Sequence, residues 1–202
     1  MNLDRTFRRV SPAAEWGVTG GHWGEYRPSA PAVSCSTIRA MSPAQRDSLC
    51  RLPDHALLGV TAFLESRSEP VLGIVAVMYT VINRVTKRHR GGFISECVLW
   101  PKQYSCWNDR DPQQAIGLRL AELLYNGESL EHEPDAIVLT TCLSLAAHIV
   151  HRNPWAVPDP SGSATHYVNP NTVSRMPDWT KPESGSIQTI RIGAHTFYRN
   201  VA

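Results

Sequence analysis

Ala62-Phe63-Leu64-Glu65-Ser66-Arg67-Ser68-Glu69-Pro70-Val71-Leu72-Gly73-Ile74-Val75-Ala76-Val77-Met78-Tyr79-Thr80-Val81-Ile82-Asn83-Arg84-Val85 is the stretch that decides the fold. Val71, Ile74, Val75, Met78, Val81, Ile82 and Val85 recur at three- and four-residue steps, the stripe of an amphipathic helix. Before it, a helix expected over Asp54 to Leu64 offers Leu57, Leu58, Phe63 and Leu64 as core residues. Between the two stands a polar turn with a carboxylate at each end, Glu65 and Glu69. A carboxyl group held against apolar side chains such as Phe63 and Leu64 keeps its proton to higher pH, because burial disfavours the charged form. General acid catalysis of glycosidic cleavage needs such a group. The plainer alternative is a glutamate at a helix end beside a solvated turn.

Further along, Gly91-Gly92 breaks the helix, Asp111-Pro112-Gln113-Gln114 opens another that stops at Asn126-Gly127, and Pro134 to Val150 reads as a largely apolar one. Ile187 to Ile192 alternates, Gly193-Ala194 turns, and His195-Thr196-Phe197-Tyr198 returns, a hairpin pattern. Helices followed by a small antiparallel sheet make an α+β domain. Residues 1–42 differ in texture, rich in Pro, Gly, Ser and Ala, and read as an extended N-terminal arm or linker before a folded domain at 43–202. Ser42-Pro43 reads as that domain's first helix start. Trp16, Trp23 and Tyr26 give the arm groups with which to dock on the domain or on a partner.

Composition narrows the function classes. A net charge of +2 with mixed signs argues against a nucleic-acid partner held by bulk charge. Lys87-Arg88-His89-Arg90 is the only dense basic run, either a solvated helix end or a contact for an anionic polymer. Five scattered cysteines without a C-x-x-C pair favour free thiols over a disulfide framework. No run approaches the ~20 apolar residues of a membrane span, and Met1 to Arg5 lacks the apolar core of a secretory signal peptide. Eight histidines include His148 and His151 three apart, without a matching carboxylate, so neither a metal nor another cofactor is expected. Cys106 is the residue a cysteine-nucleophile reading would choose, though the Gly-rich surroundings of papain-like sites are missing. Gln103-Tyr104-Ser105-Cys106-Trp107-Asn108 also reads as a sugar-binding strip, with aromatic faces for rings and amides for acetamido groups, or as plain core. His166 and His195, each near an aromatic residue, suit a sugar cleft or an ordinary hairpin face.

Taken together these blocks resemble the SleB-like cell wall hydrolases, a family of spore-cortex lytic enzymes and phage endolysins. The family's opening block, a catalytic Glu, a short turn with a second Glu and a helix of form A-V-x-x-x-V-x-N-R-V, looks like Glu65 to Glu69 followed by Ala76 to Val85. Its Q-F-S block resembles Gln103-Tyr104-Ser105-Cys106-Trp107. Its late G-A-x-x-Y-x-N-P block resembles Ser163 to Pro170, and its I-G-x-H-x-F-Y terminus resembles Ile192 to Tyr198. Ser66 and Ser68 replace the usual Ala and Gly. The resemblance spans about Leu57 to Arg199 and leaves the arm outside it.

The resemblance implies a lysozyme-like helical core with an added sheet, and cleavage of bacterial peptidoglycan between N-acetylmuramic acid and N-acetylglucosamine. Glu65 would be the acid/base, with Glu69 the second carboxylate if water is the acceptor. Pro70 disfavours one helix through both, which favours the single-carboxylate, anhydro-forming reaction. Gln103, Tyr104, Ser105, Trp107, His166, Tyr167, Asn169 and His195 would bind substrate. The Thr-His-Tyr form of the late block looks more like the phage branch. That branch implies an endolysin waiting in the host bacterial cytoplasm before release to the periplasm or wall, or a virion-associated lysozyme whose arm meets other virion proteins. A non-catalytic wall-binding or virion protein, and a cysteine peptidase or zinc amidase cutting the peptide stems, are the alternatives.

Overall fold

The computed structural model describes residues 48–49, 51–151 and 158–201. The arm, its aromatic residues, the helix start at Ser42, and Cys35 and Cys50 lie outside the described residues. Among the described residues, the complete α-helices are α1 (Asp54–Ser66), α2 (Val71–Thr86), α3 (Ile94–Leu99), α4 (Pro112–Asn126) and α5 (Ala136–Val150). A three-stranded antiparallel sheet follows, β1 (His166–Val168), β2 (Ile187–Ile192) and β3 (His195–Arg199), in the order β1-β3-β2. The α+β order expected from the sequence is the one observed.

α1 is the central helix, packed against α5, α2, α4 and α3. Its contact with α5 is close enough that a Cβ on Gly59 would sit 2.9 Å from the Leu143 Cα. The chain leaves α1 at Arg67 and re-enters a helix only after Pro70, so Glu65 lies in the last turn of α1 and Glu69 in the connecting turn. α4 begins as its sequence suggests: Pro112 opens it and the Asp111 side chain accepts from the Gln113 N–H at 2.9 Å. It ends on Gly127 at φ 69. Two differences from the sequence reading have local causes. α5 starts at Ala136 rather than Pro134 because Asp135 is held at φ 59, outside helical geometry. The short α3 has no apolar period in the sequence; it forms because Glu96 reaches back to the N–H groups of Gly92 and Phe93 (2.8 and 3.2 Å).

Among the described residues, the buried side chains form two clusters. The larger fills the helical body around Leu58, Val60, Met78, Cys97 and Leu139. The smaller, Ala76, Val77, Ala164, Ile192 and Phe197, glues α2 to the sheet. Tyr167 packs against both and so sits on the seam between them. Cys97, Cys106 and Cys142 are buried free thiols, and burial raises those of Cys97 and Cys142 to about 11 and about 12.

His55, at the start of α1, stands 5.2 Å ring to ring from His151 beyond the end of α5. Burial, and then the charge of His151, push its pKa down from 6.5 to about 4. Between those values the unfolded chain takes a proton that the folded protein refuses, so stability is lost as pH falls from about 6.5 toward 4. A urea midpoint lower at pH 4.5 than at pH 7.5 is expected, with a smaller drop in His55→Gln. An equal drop in that variant would assign the acid sensitivity elsewhere.

Candidate active site

The last turn of α1 presents Glu65, half-buried, to two other segments. The first is the 3-10 turn Ser105–Trp107. Trp107 is driven inward (4% exposed), and its indole N–H donates to Thr61 Oγ1 at 3.0 Å, one helical turn before Glu65. Its carbonyl accepts from Gln114 Nε2, and α4 approaches so near that a Cβ on Gly117 would lie 2.9 Å from the indole. Clamped this way, the turn aims the Ser105 hydroxyl (3.1 Å) and the Cys106 backbone N–H (2.9 Å) at Glu65 Oε1. The second segment is β1, whose Tyr167 hydroxyl donates to Glu65 Oε2 at 2.8 Å. Both oxygens of one carboxylate are thus held by donors from two distant segments, the charge-assisted kind of hydrogen bond.

The apolar wall expected around Glu65 is therefore a set of donors. Burial, and then the neighbouring Glu65 charge, push the Tyr167 phenol and the Cys106 thiol well above their ordinary values. Both keep their protons. When Glu65 carries a proton, the hydroxyls of Ser105 and Tyr167 can turn from donating to accepting, which the Cys106 N–H cannot do. The proton then belongs on Oε2, facing Tyr167, and the carboxyl can alternate between acid and base without moving. Cys106 itself lacks what a nucleophile needs, since its side chain is fully buried and its thiol raised.

Glu69 has a different environment. Its Oε2 accepts the Ala194 N–H at 2.9 Å, tying the α1–α2 turn to the hairpin. Gly193, at φ 58, leaves room for this: a Cβ there would fall 1.9 Å from the same oxygen. His195, two residues on from Gly193 and 6% exposed, lies edge-on to the Tyr167 ring at 4.9 Å. Burial lowers its pKa against the opposing pull of Glu69 and Glu65, and its buried Nδ1 has no hydrogen-bond partner among the described residues.

The structure brings Glu65, Ser105, Tyr167 and His195 together, with Glu69 bonded to the hairpin turn. It does not offer the whole expected sugar-binding strip. Tyr104 is 1% exposed beneath the Arg84 guanidinium (5.0 Å to the ring) and Trp107 is core, so neither presents a ring face to a sugar. Gln103 is half-buried and receives Arg84 Nη1 at 3.2 Å. Asn169 closes a turn, its Oδ1 accepting the Asn171 N–H at 3.0 Å. His166 points away to His89 and Trp179.

Asn83 and Arg84, quoted in the sequence only as part of a helix pattern, hold the site together. Asn83 donates to Asp159 Oδ2 (3.0 Å) and the Ala164 carbonyl (2.9 Å). Arg84, 4% exposed, donates from Nε to the Thr165 carbonyl and from Nη1 to Gln103. One side chain of α2 thus fixes both segments that supply donors to Glu65. A polar pair at the end of an otherwise apolar stripe was the available signal. Among the described residues, no group of three or more His, Cys, Asp or Glu side chains is placed to hold a metal ion.

This arrangement can be set beside known proteins. The family model for Cell Wall Hydrolase matches residues 68–198, beginning just after Glu65 and including Glu69, Asn83, Arg84, Gln103, Tyr167 and His195. A spore cortex-lytic enzyme of Bacillus cereus is 29% identical over 144 residues, and one of Oceanobacillus iheyensis is 28% identical over 144. Each alignment covers 71% of this chain but only 43% and 41% of the relative, so the chain spans less than half the length of the curated relatives it matches. Among solved structures it is similar to the catalytic domain of the Bacillus cereus SleB protein, at 24% identity and a TM-score of 0.44 over 71% of this chain and 88% of that one. The catalytic domain of the germination-specific lytic transglycosylase SleB from Bacillus anthracis gives 22% and 0.45 over 79% and 97%. With the family model matching well over half its length, this chain belongs to the Cell Wall Hydrolase family.

Proposed function

We propose that this protein cleaves the bond between N-acetylmuramic acid and N-acetylglucosamine in bacterial peptidoglycan, with Glu65 as its acid/base. The observation that carries the reading is the pair of Glu65 oxygens gripped by Ser105, Cys106 and Tyr167. Protonated on Oε2, Glu65 gives its proton to the glycosidic oxygen as the C1–O bond breaks. The resulting carboxylate takes the proton of the muramyl 6-hydroxyl as that oxygen bonds to C1. The product is a 1,6-anhydro ring, no water is consumed, and Glu65 ends protonated as it began. The similarity to spore cortex-lytic enzymes supports this class of reaction.

A single carboxylate suffices for this route, and the engagement of Glu69 with the hairpin supports it. Glu69→Gln retains an oxygen for the Ala194 N–H and is expected to keep activity within a few-fold. Glu69→Ala loses a charge-assisted bond of about 1.5–3 kcal/mol and with it thermal stability. A general base removed by the Gln substitution would instead cost roughly 10²-fold or more in rate. Melting temperature and turnover on purified peptidoglycan, measured for both variants, separate these roles.

The Thr165-His166-Tyr167 block supports assignment to the phage branch, as an endolysin released from the host cytoplasm to the wall or as a virion-borne lysozyme. In that setting the domain is residues 43–202, and the arm at 1–42 is the contact for other virion proteins. Digestion in ¹⁸O-labelled water tests the chemistry: anhydro formation leaves the muramyl ends unlabelled. Labelled reducing ends would replace this route by hydrolysis.

A further inference from the structure

Alternation along β1 turns Tyr167 toward Glu65 and sends its neighbour His166 to the other face of the strand. There His166 joins a row of rings. It meets His89 edge-on at 5.3 Å and Trp179 at 5.3 Å, and Trp179 meets Tyr198 edge-on at 5.3 Å. Trp179 rides on a rigid turn: its carbonyl accepts the Ser184 hydroxyl at 2.8 Å, and Thr180 Oγ1 donates to the Pro177 carbonyl at 2.7 Å. His89, His166 and Trp179 are half-buried, so the row keeps an open side.

The charges that act on the two histidines of this row are cationic. Arg84 lies beneath it, and Arg90, whose guanidinium stacks 5.9 Å from the Trp100 ring, stands beside it. Burial is the largest effect lowering His166, to about 3, and also lowers His89; Arg84 and Arg90 push both further in that direction, and no carboxylate among the described residues opposes them. The nearest acid of the Trp179 turn, Asp178, is paired with Arg175 and Lys181. Uncharged rings for the face of a sugar, beside guanidinium groups without an acidic partner in the row, suit a saccharide that carries an anion. This also gives the basic run at 87–90 something to recognise.

We propose that the Trp179–His166–Arg90 face is a second carbohydrate site, separate from the Glu65 cleft, for a carboxylate-bearing muramyl-peptide unit of a neighbouring peptidoglycan strand. The sugar packs on Trp179 and the carboxylate faces Arg90. The choice of peptidoglycan as its source rests on the function proposed above; the site itself rests on the rings and the charge.

The test uses the full chain carrying Glu65→Gln, so that nothing is cut. Its Trp179 indole N–H, identified by loss of the signal in Trp179→Phe, is followed by NMR during titration with a disaccharide-dipeptide and with its methyl esters. Binding to sacculi stripped of phosphodiester polymers is measured by co-sedimentation. The acid form is expected to shift the indole signal and the esters to do so at least tenfold more weakly. Trp179→Leu and Arg90→Gln are each expected to weaken sacculus binding by roughly five- to tenfold, the scale of one cation–π or charge-assisted contact. Arg90 is exposed, so that variant tests the site without disturbing the fold. Equal binding of acid and ester, unchanged binding by both variants, or a response only to a phosphodiester polymer would overturn the proposal. If the protein with Glu65 intact leaves sacculi uncut while the fragment still shifts Trp179, the cleavage reading fails and the site stands. Normal cutting with a silent Trp179 is the reverse.

Discussion

Glu65→Gln is expected to lose peptidoglycan cleavage by at least about 10³-fold while melting at the wild-type temperature. The rate effect follows from asking one carboxyl to act in both halves of the reaction, since positioned acid/base groups contribute on the order of 10²–10⁴-fold. The unchanged stability follows from the partners of its two oxygens. The amide oxygen can still accept from Ser105 and the Cys106 N–H at the Oε1 position. The amide N–H₂ then faces the Tyr167 hydroxyl, which turns to accept. A variant that unfolds would show that the charge of Glu65 is structural. One that retains activity would remove Glu65 from the chemistry altogether.

Arg84→Leu carries the second large effect. The guanidinium is buried, donates to the Thr165 carbonyl and to Gln103, and covers the Tyr104 ring. Charge-assisted hydrogen bonds contribute about 1.5–3 kcal/mol each, and removing the donor leaves a carbonyl unpaired. Relief from burying a charge offsets part of that loss. The net expectation is roughly 2–3 kcal/mol less stability, read from the urea midpoint. Activity should fall further than stability explains, by on the order of tenfold or more even where the variant is fully folded. The reason is that Ser105, two residues from Gln103, and Tyr167, two from Thr165, both lose their anchor, and small misplacements of catalytic groups are costly. Arg84→Lys keeps the charge without the planar fork and should fall between. A stable, fully active Arg84→Leu would mean that the two segments are positioned by packing alone.

The fold was legible in the sequence wherever a local pattern specified it. The apolar stripe from Val71 to Val85, the Asp111-Pro112 start and Gly127 stop of α4, and the Gly193 turn each state their geometry within a few residues. α3 escaped because a six-residue helix held by one glutamate has too short a period to read. The site was legible in part. Glu65 and Tyr167 stand out in the blocks, but their meeting across 102 positions of sequence is a property of the packing at the seam. Tyr104 and Trp107 looked like sugar platforms because aromatic residues beside Gln and Ser have the right chemistry; whether such rings face inward depends on Arg84, Thr61 and Gly117, residues far from them in the chain. The Cys106 donor is a backbone N–H, which no residue type announces. Trp179 gave no signal either, since its partners His166 and Tyr198 come from other segments.

Mass spectrometry of the muropeptides released from purified peptidoglycan by the wild type and by Glu65→Gln is the most direct test. Anhydro-muramyl ends from the wild type and none from the variant are the expected result. The same fragments released by both proteins, or free peptide stems with intact glycan from the wild type, would contradict the assignment of Glu65 as the acid/base of a glycan-cleaving enzyme.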